Sequence, residues 1–355
     1  MELTVLSVAY PLAPVGPDAV GGSEQVLHAL DHALVAAGHH SIVVAMEGSS
    51  AEGTLVPVPR CAGPLSNAAR EAAWPAHKAA IVHALRTWPV DVIHMHGLDF
   101  WGYLPPPGPP VLATLHLPPS WYPEGSLFPT RPETWLQCVS QAQHRACPPG
   151  SRLIDPIENG VPVEALQARH AKRRFALVLG RICPEKGVHL AIDAAKKAAM
   201  PLIIAGELFP YEDHQRYFSE EIEPRLDPER RFIGPIGFAR KRRLLTAARC
   251  LLVPSLVDET SSLVAREAAA CGTPVIAFPR GALPETVEDG RTGFLVEDIS
   301  AMAIAIDRAS AIDPQECRRV ARARFSLDVM VERYFDIYTR LAVCGRAQDQ
   351  LTASA

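Results

Sequence analysis

Apolar residues along this chain fall into two patterns. Short unbroken runs, bounded by glycine, proline or small polar residues, read as strands buried on both faces. Between them lie longer stretches with apolar positions three and four apart, the spacing of helices with one buried side. Runs at 3–10 (LTVLSVAY), 41–46, 90–97, 110–117 and 134–140 predict strands. Helices are predicted over 23–38, with Ser23 as cap and Gly38 as stop, and over 66–87. SRLIDPIENG (151–160) closes this half, with Asn159-Gly160 as a turn. The pattern restarts at FALVLGRI (175–182), with further strands at 201–207, 230–236, 250–255, 274–278 and 292–296. Helices are predicted over 184–199, 211–223, 238–249, 262–271, 283–288, 301–311, 314–324 and 327–344, and the tail after Gly345 reads as disordered.

Two successive β-α series imply two doubly wound parallel sheets, an α/β protein of two Rossmann-like domains. The length, 355 residues, agrees with two cores rather than one. The polar stretch at 161–172 predicts the boundary, giving a first domain over 1–165 and a second over 172–325. Ligands of such sheets bind beyond the carboxyl ends of the strands, so two domains facing a central cleft place the ligand between them.

Composition narrows the function classes. The net charge is −4, and residues 1–165 carry seven Lys/Arg against fourteen Asp/Glu, which removes any general pull toward nucleic acid or anionic lipid. The eight cysteines form no Cys-x-x-Cys pair, so neither a zinc ribbon nor a redox motif is supported, and they read as reduced thiols of a cytoplasmic protein. No segment approaches a spanning helix and no leader peptide is read. Arg240-Lys241-Arg242-Arg243 reads as a solvated face, with weak peripheral contact to an anionic acceptor or membrane surface as the other reading.

Candidate chemistry gathers in the second half. In VDETSSLVAREAAACGTPVIAF (257–278), Glu259 and Glu267 are eight positions apart. On one unbroken helix they would be ~12 Å apart, too far to chelate one ion. Glu259 precedes the helix, however, and helical side chains lean toward the amino end, so the pair can bracket a guest at the helix mouth. The free N–H groups around Ser261, Ser262, Leu263 and Val264, with the positive dipole end, suit a phosphate. The carboxylates would then hold hydroxyls on either side. The plainer alternative makes Glu259 a helix-start residue and Glu267 a surface residue. In VLGRICPEKG (178–187), a strand ends at Gly180, and Arg181 and Lys186 flank the following turn, coherent with an anion. His94 and His96 share one strand face and read as core or cleft histidines, because a metal site lacks a third ligand there. Phe100, Trp101, Tyr103, Trp121 and Tyr122 read either as stacking surfaces for a sugar or as loop packing.

The ordered set Gly180-Arg181, Glu185-Lys186-Gly187, Pro254-Ser255, Glu259, Glu267-Ala268, Cys271-Gly272-Thr273-Pro274 and Gly281-Ala282-Leu283-Pro284-Glu285 resembles the retaining GT-B glycosyltransferases, specifically the glycogen-synthase-like group called family 4. Gly21-Gly22-Ser23-Glu24, DVIHMHG and TLHLPP match more loosely, and helix 327–344 resembles the one that crosses back to the first domain. The resemblance implies that Arg181 and Lys186 neutralise the diphosphate of a sugar nucleotide, a UDP-sugar in preference to a GDP-sugar. It implies that Glu267 holds the ribose and Glu259 the donor sugar, and that His116 faces the reacting centre. It further implies that Gly21 and Gly22 close over the diphosphate. Glu285 would brace the binding loops or cap its own short helix. No cofactor and no metal are implied, and the chain has no Asp-x-Asp. The acceptor would be a hydroxyl of a carbohydrate, a lipid-linked or a small molecule. Thr260-Ser261-Ser262 stands where the family usually has Gly-Phe-Gly, which puts the donor sugar in question but not the reaction class. A nucleotide-sugar epimerase of similar fold and a non-catalytic nucleotide-sugar-binding homologue remain as alternatives.

Overall fold

A computed structural model describes residues 1–17, 19, 21–61 and 66–353, with only the backbone described for 346–353. The chain forms two compact units, Met1–Glu158 with Met330–Ala355, and Asn159–Val329.

The first unit runs β1 (Thr4–Val8), α1 (Gly22–Ala36), β2 (His40–Met46), β3 (Thr54–Val58), α2 (Asn67–Thr87), β4 (Val92–Met95), β5 (Val111–Leu115), β6 (Thr134–Cys138), α3 (Gln141–Ala146) and β7 (Leu153–Ile154). Its seven strands order β3-β2-β1-β4-β5-β6-β7, and each pairing is parallel. Val5, Leu6, Ile42, Val43, Val44, Ile93 and Leu112 are fully buried, as the unbroken apolar runs require.

The second unit runs α4 (Val163–Leu166), β8 (Ala176–Leu179), α5 (Val188–Lys197), β9 (Leu202–Ala205), α6 (Glu212–Tyr217), β10 (Arg230–Phe232), α7 (Phe238–Ala247), β11 (Cys250–Val253), α8 (Leu263–Ala270), β12 (Val275–Ala277), α9 (Leu283–Thr286), β13 (Gly293–Leu295), α10 (Ile299–Arg308) and α11 (Pro314–Arg324). Its six strands order β10-β9-β8-β11-β12-β13, again in parallel pairs. The order reverses between β8 and β11, the switch point at which sheets of this kind bind ligands beyond the carboxyl ends of their strands. Finally α12 (Leu327–Ala353) carries the chain from the second unit back into the first.

Four sequence expectations are corrected. The division falls after Glu158 rather than near 165, because Val161, Val163 and Leu166 are buried in the second unit's core. Helix α1 is capped at Gly21, not Ser23, which lies inside the helix. The Glu24 side chain folds over that cap so closely that a Cβ on Gly21 would sit 1.9 Å from its carboxylate. The predicted helix over 211–223 is α6 followed by a wider π turn, Phe218–Ile222, and a 3-10 turn. Past Gly345 the backbone stays helical to Ala353 where disorder was expected.

Candidate active site

The loops beyond β8 are held by close backbone approach. Beyond β8, Gly180 and Gly206 lie back to back, and a Cβ on Gly206 would fall 1.7 Å from the Gly180 carbonyl. Both have φ near +155°, so conformation favours glycine at both, and at Gly206 space requires it as well. The chain then makes a 3-10 turn, Pro184–Lys186, ended by Gly187 at φ 59°. Gly187 lies against the Pro254 carbonyl beyond β11, and Leu256 N–H donates to the Glu185 carbonyl at 2.8 Å. The two loops that carry the candidate residues are thus bound to each other through backbone.

Across that junction Lys186 Nζ pairs with Glu259 Oε1 at 2.6 Å. Glu259 is buried and also accepts from the Ser255 hydroxyl through the same oxygen. Its backbone is gripped as well: Ala282 N–H donates to its carbonyl at 2.7 Å, and Gly281, at φ 56°, leaves no room for a Cβ against it. A lysine ammonium has three donors, so Lys186 keeps capacity for an anion while it holds Glu259. Arg181 is exposed at the start of the same turn.

Glu267 sits inside α8 and is buried, which drives its carboxyl toward the protonated form, while Lys241 pulls it back. The Lys241 ammonium lies 2.5 Å from Oε1 and 5.5 Å from the centre of the Phe238 ring. Lys241 therefore belongs to the site and not to a solvated face. Its neighbour Arg242 donates to the Ala165 carbonyl at 3.1 Å. No sequence rule marks Lys241 apart from the three arginines around it. A cation in the first turn of α7, against the dipole, is the one weak signal.

The amino end of α8 is capped at Ser262 by backbone only, with no side-chain cap bond. Ser261 Oγ beside it is buried and has no hydrogen-bond partner among the described residues. Leu263 and Val264 open the helix and are half-buried. Glu285 lies in the first turn of α9, and its carbonyl accepts from Arg324 at 2.8 Å. Arg266, which sequence reasoning passed over, is fully buried. It donates to the Asn159 carbonyl and lies 4.8 Å over the Phe325 ring, fixing the back of α8.

In the first unit, at the carboxyl ends of β4 and β5, three histidines line up. His94 and His96 have ring centres 3.8 Å apart, and His96 stacks on His116 at 5.7 Å. His94 is tied into the core by Tyr338 at 2.6 Å and Thr114 at 2.7 Å, as the core reading expected. Burial lowers His94 and His96 well below the usual histidine range, with help from neighbouring rings, and brings His116 to about 4. All three are neutral near pH 7. The Tyr122 hydroxyl holds the His116 and Leu117 amides at 3.0 and 3.2 Å. Phe100, Tyr103 and Tyr122 are buried and serve loop packing, whereas Trp121 is exposed. Gly21 and Gly22 start α1 in this unit.

Two doubly wound parallel sheets of these orders, in two units, constitute the GT-B architecture. The crystal structure of AviGT4, a glycosyltransferase involved in avilamycin A biosynthesis, has it with a TM-score of 0.71 and 25% identity over 96% of this chain and 98% of that one. Anabaena Alr3699/HepE, solved in complex with UDP-glucose, matches with a TM-score of 0.74 at 19% identity over 96% of this chain and 100% of that one. One family model, "Glycosyl transferases group 1", matches residues 173–311, and another, "Glycosyltransferase Family 4", matches 20–148, one in each unit. The chain belongs to these glycosyltransferase families. Glycogen synthase of Mycobacterium tuberculosis is 28% identical over 91% of this chain and 89% of its own length. D-inositol 3-phosphate glycosyltransferase of Streptomyces avermitilis is 40% identical over 116 residues, which span 31% of this chain and only 25% of that protein.

Proposed function

We propose that this protein transfers a hexosyl group from a nucleoside-diphosphate sugar to a hydroxyl acceptor, with retention at the anomeric carbon and without a metal in the chemistry. One observation carries the reading: two buried carboxylates, Glu259 and Glu267, each paired with its own lysine, one before and one within the helix capped at Ser262. Lysine-paired carboxylates accept hydroxyls, and a helix mouth with a buried, unbonded Ser261 hydroxyl accepts an anion.

In this reading the bond between the anomeric carbon and the phosphate oxygen breaks, and its electron pair leaves on the diphosphate. Lys186, Arg181 and the α8 dipole stabilise that growing charge. The acceptor oxygen attacks from the face the phosphate leaves, and the acceptor proton goes to the departing phosphate. Glu267 would take the ribose hydroxyls and Glu259 the donor sugar, with His116 near the reacting carbon and Gly21-Gly22 over the diphosphate. A uridine donor is the first to test, since a protein of the same fold has been solved with UDP-glucose. The acceptor class stays open among carbohydrates, lipid-linked sugars and small metabolites.

The test is a screen of UDP- and GDP-sugars for binding, then an acceptor search with the tightest donor. Nucleoside diphosphate released only when acceptor is present supports transfer. Isomerised sugar with no release would establish an epimerase instead, and binding without turnover a non-catalytic homologue.

A further inference from the structure

The donor-side turn carries a second constellation that the transfer reaction does not use. Cys183 lies one residue before the Pro184–Lys186 turn, Glu185 is in it, and His214 comes from α6, beyond the neighbouring strand. One ligand atom from each, the Cys183 sulfur, a Glu185 carboxylate oxygen and a His214 ring nitrogen, lie within 4.8 Å of one another. Cys183 and His214 are buried and Glu185 is half-buried. His214 Nδ1 is buried with no hydrogen-bond partner among the described residues, a polar atom in need of one. We infer that Cys183, Glu185 and His214 form a binding site for one divalent d-block cation of the zinc class, which clamps the donor turn to α6.

Three arguments support the assignment. Thiolate, carboxylate and imidazole are the donor set of zinc, and three protein ligands leave a fourth position for water. Metal–ligand bonds of ~2.0–2.3 Å in a tetrahedron put ligand atoms about 3.3–3.7 Å apart, so side-chain adjustment of the order of 1 Å closes the site. The charges also match. One thiolate and one carboxylate neutralise a dication, which lets it sit near the Arg181 and Lys186 charges without net repulsion. On coordination the Cys183 thiol proton is displaced to solvent. The ion takes no part in sugar transfer. Its work is to tie the β8 loop to α6.

Cobalt(II) is the probe, since a cysteine thiolate bound to it gives a near-ultraviolet charge-transfer band. The full chain, stripped with a chelator, is titrated with cobalt(II) and then with zinc. The expected result is a band that saturates at one cobalt per chain, is displaced by zinc, and is accompanied by a rise in melting temperature. Cys183→Ser abolishes the band, and His214→Gln and Glu185→Gln each weaken cobalt binding by at least ~10-fold, the loss that outer partners of a metal site alone can cause. Cys61→Ser, Cys147→Ser and Cys344→Ser leave it unchanged, which excludes the more accessible thiols. If Cys183→Ser misfolds, as judged by metal-free melting, His214→Gln carries the decision. No band, or a band that survives Cys183→Ser and His214→Gln, overturns the site.

Discussion

Lys241 Nζ lies 2.5 Å from the buried carboxylate of Glu267, and the pair couples the first turn of α7 to α8. Burial raises the Glu267 carboxyl and the lysine opposes that rise. Removing Lys241 leaves burial unopposed. Lys241→Met is expected to cost about 3 kcal/mol, the usual loss for one partner of a buried pair. In a Glu267→Gln background the same change should cost about 1 kcal/mol or less. Urea unfolding of the four proteins measures the difference, and equal costs in both backgrounds would show that the two residues do not interact.

Lys186→Ala and Glu267→Ala should each weaken nucleoside-diphosphate binding by about 10- to 100-fold, the size of a charge-assisted bond or a ribose contact. Isothermal titration with UDP and GDP is the measurement. Unchanged affinity in both variants removes the donor from this site.

His116→Ala should lower turnover by about 100-fold, within the range of a group that acts at the reacting atoms. Nucleotide affinity should stay within about twofold of the parent, because the proposed role of His116 is at the reacting carbon and not at the nucleotide, whose charged contacts, Arg181, Lys186 and Glu267, all lie in the other unit. Turnover equal to the parent would take His116 out of the chemistry.

Stability should fall on mild acidification. His77 and His116 are brought to about 4 by burial, and His94 and His96 are also depressed. The unfolded rings take up protons near pH 6.5 while the folded ones do not, so the unfolded state binds more protons in the window between. The stability is therefore fully present above pH 6.5 and is lost as pH falls toward 4. At pH 5 linkage gives on the order of 2 kcal/mol for each ring held at 4. Calorimetry at pH 7, 6 and 5 tests this, and a melting temperature that does not fall would mean the rings are not held neutral.

Gly281 and Gly290 both have positive φ, at 56° and 73°, but only Gly281 faces the Glu259 backbone, 2.3 Å from where its Cβ would be. Gly290→Ala should cost about 1 kcal/mol of strain. Gly281→Ala should cost more and also displace Glu259, so activity should drop well beyond what the lost stability explains. Equal activity in the two variants would show that the position of Glu259 does not depend on Gly281.

Strands β1, β2, β4, β5 and β6 were legible because their residues are mostly apolar and bounded by turn residues, and the helices because their buried positions recur at helical spacing. Strand β3 was missed because TLVPV is short and holds Pro57. Proline is tolerated there because β3 is an edge strand, pairing with β2 alone. Helix α3 and strand β7 were missed because six and two residues carry too little period to read. In the site, Glu259, Glu267 and Lys186 could be singled out because their chemistry sits at strand ends and a helix start. Lys241 could not, because its role is fixed by a partner 26 residues away in sequence. The His214 contribution is hidden for the same reason, as its companions lie across a strand crossover.

The order in which this chain leaves the ribosome sets a constraint of its own. Tyr334 donates to Gln137 at 2.8 Å and Tyr338 bonds His94, so the buried polar groups of the first unit depend on residues translated after the whole second unit. A nascent chain stalled before residue 330 holds a complete second unit and a first one whose interior is still unsatisfied. The first unit is thus completed only after the second has been made, and removal of the segment that follows Val329 should harm the first unit rather than the second.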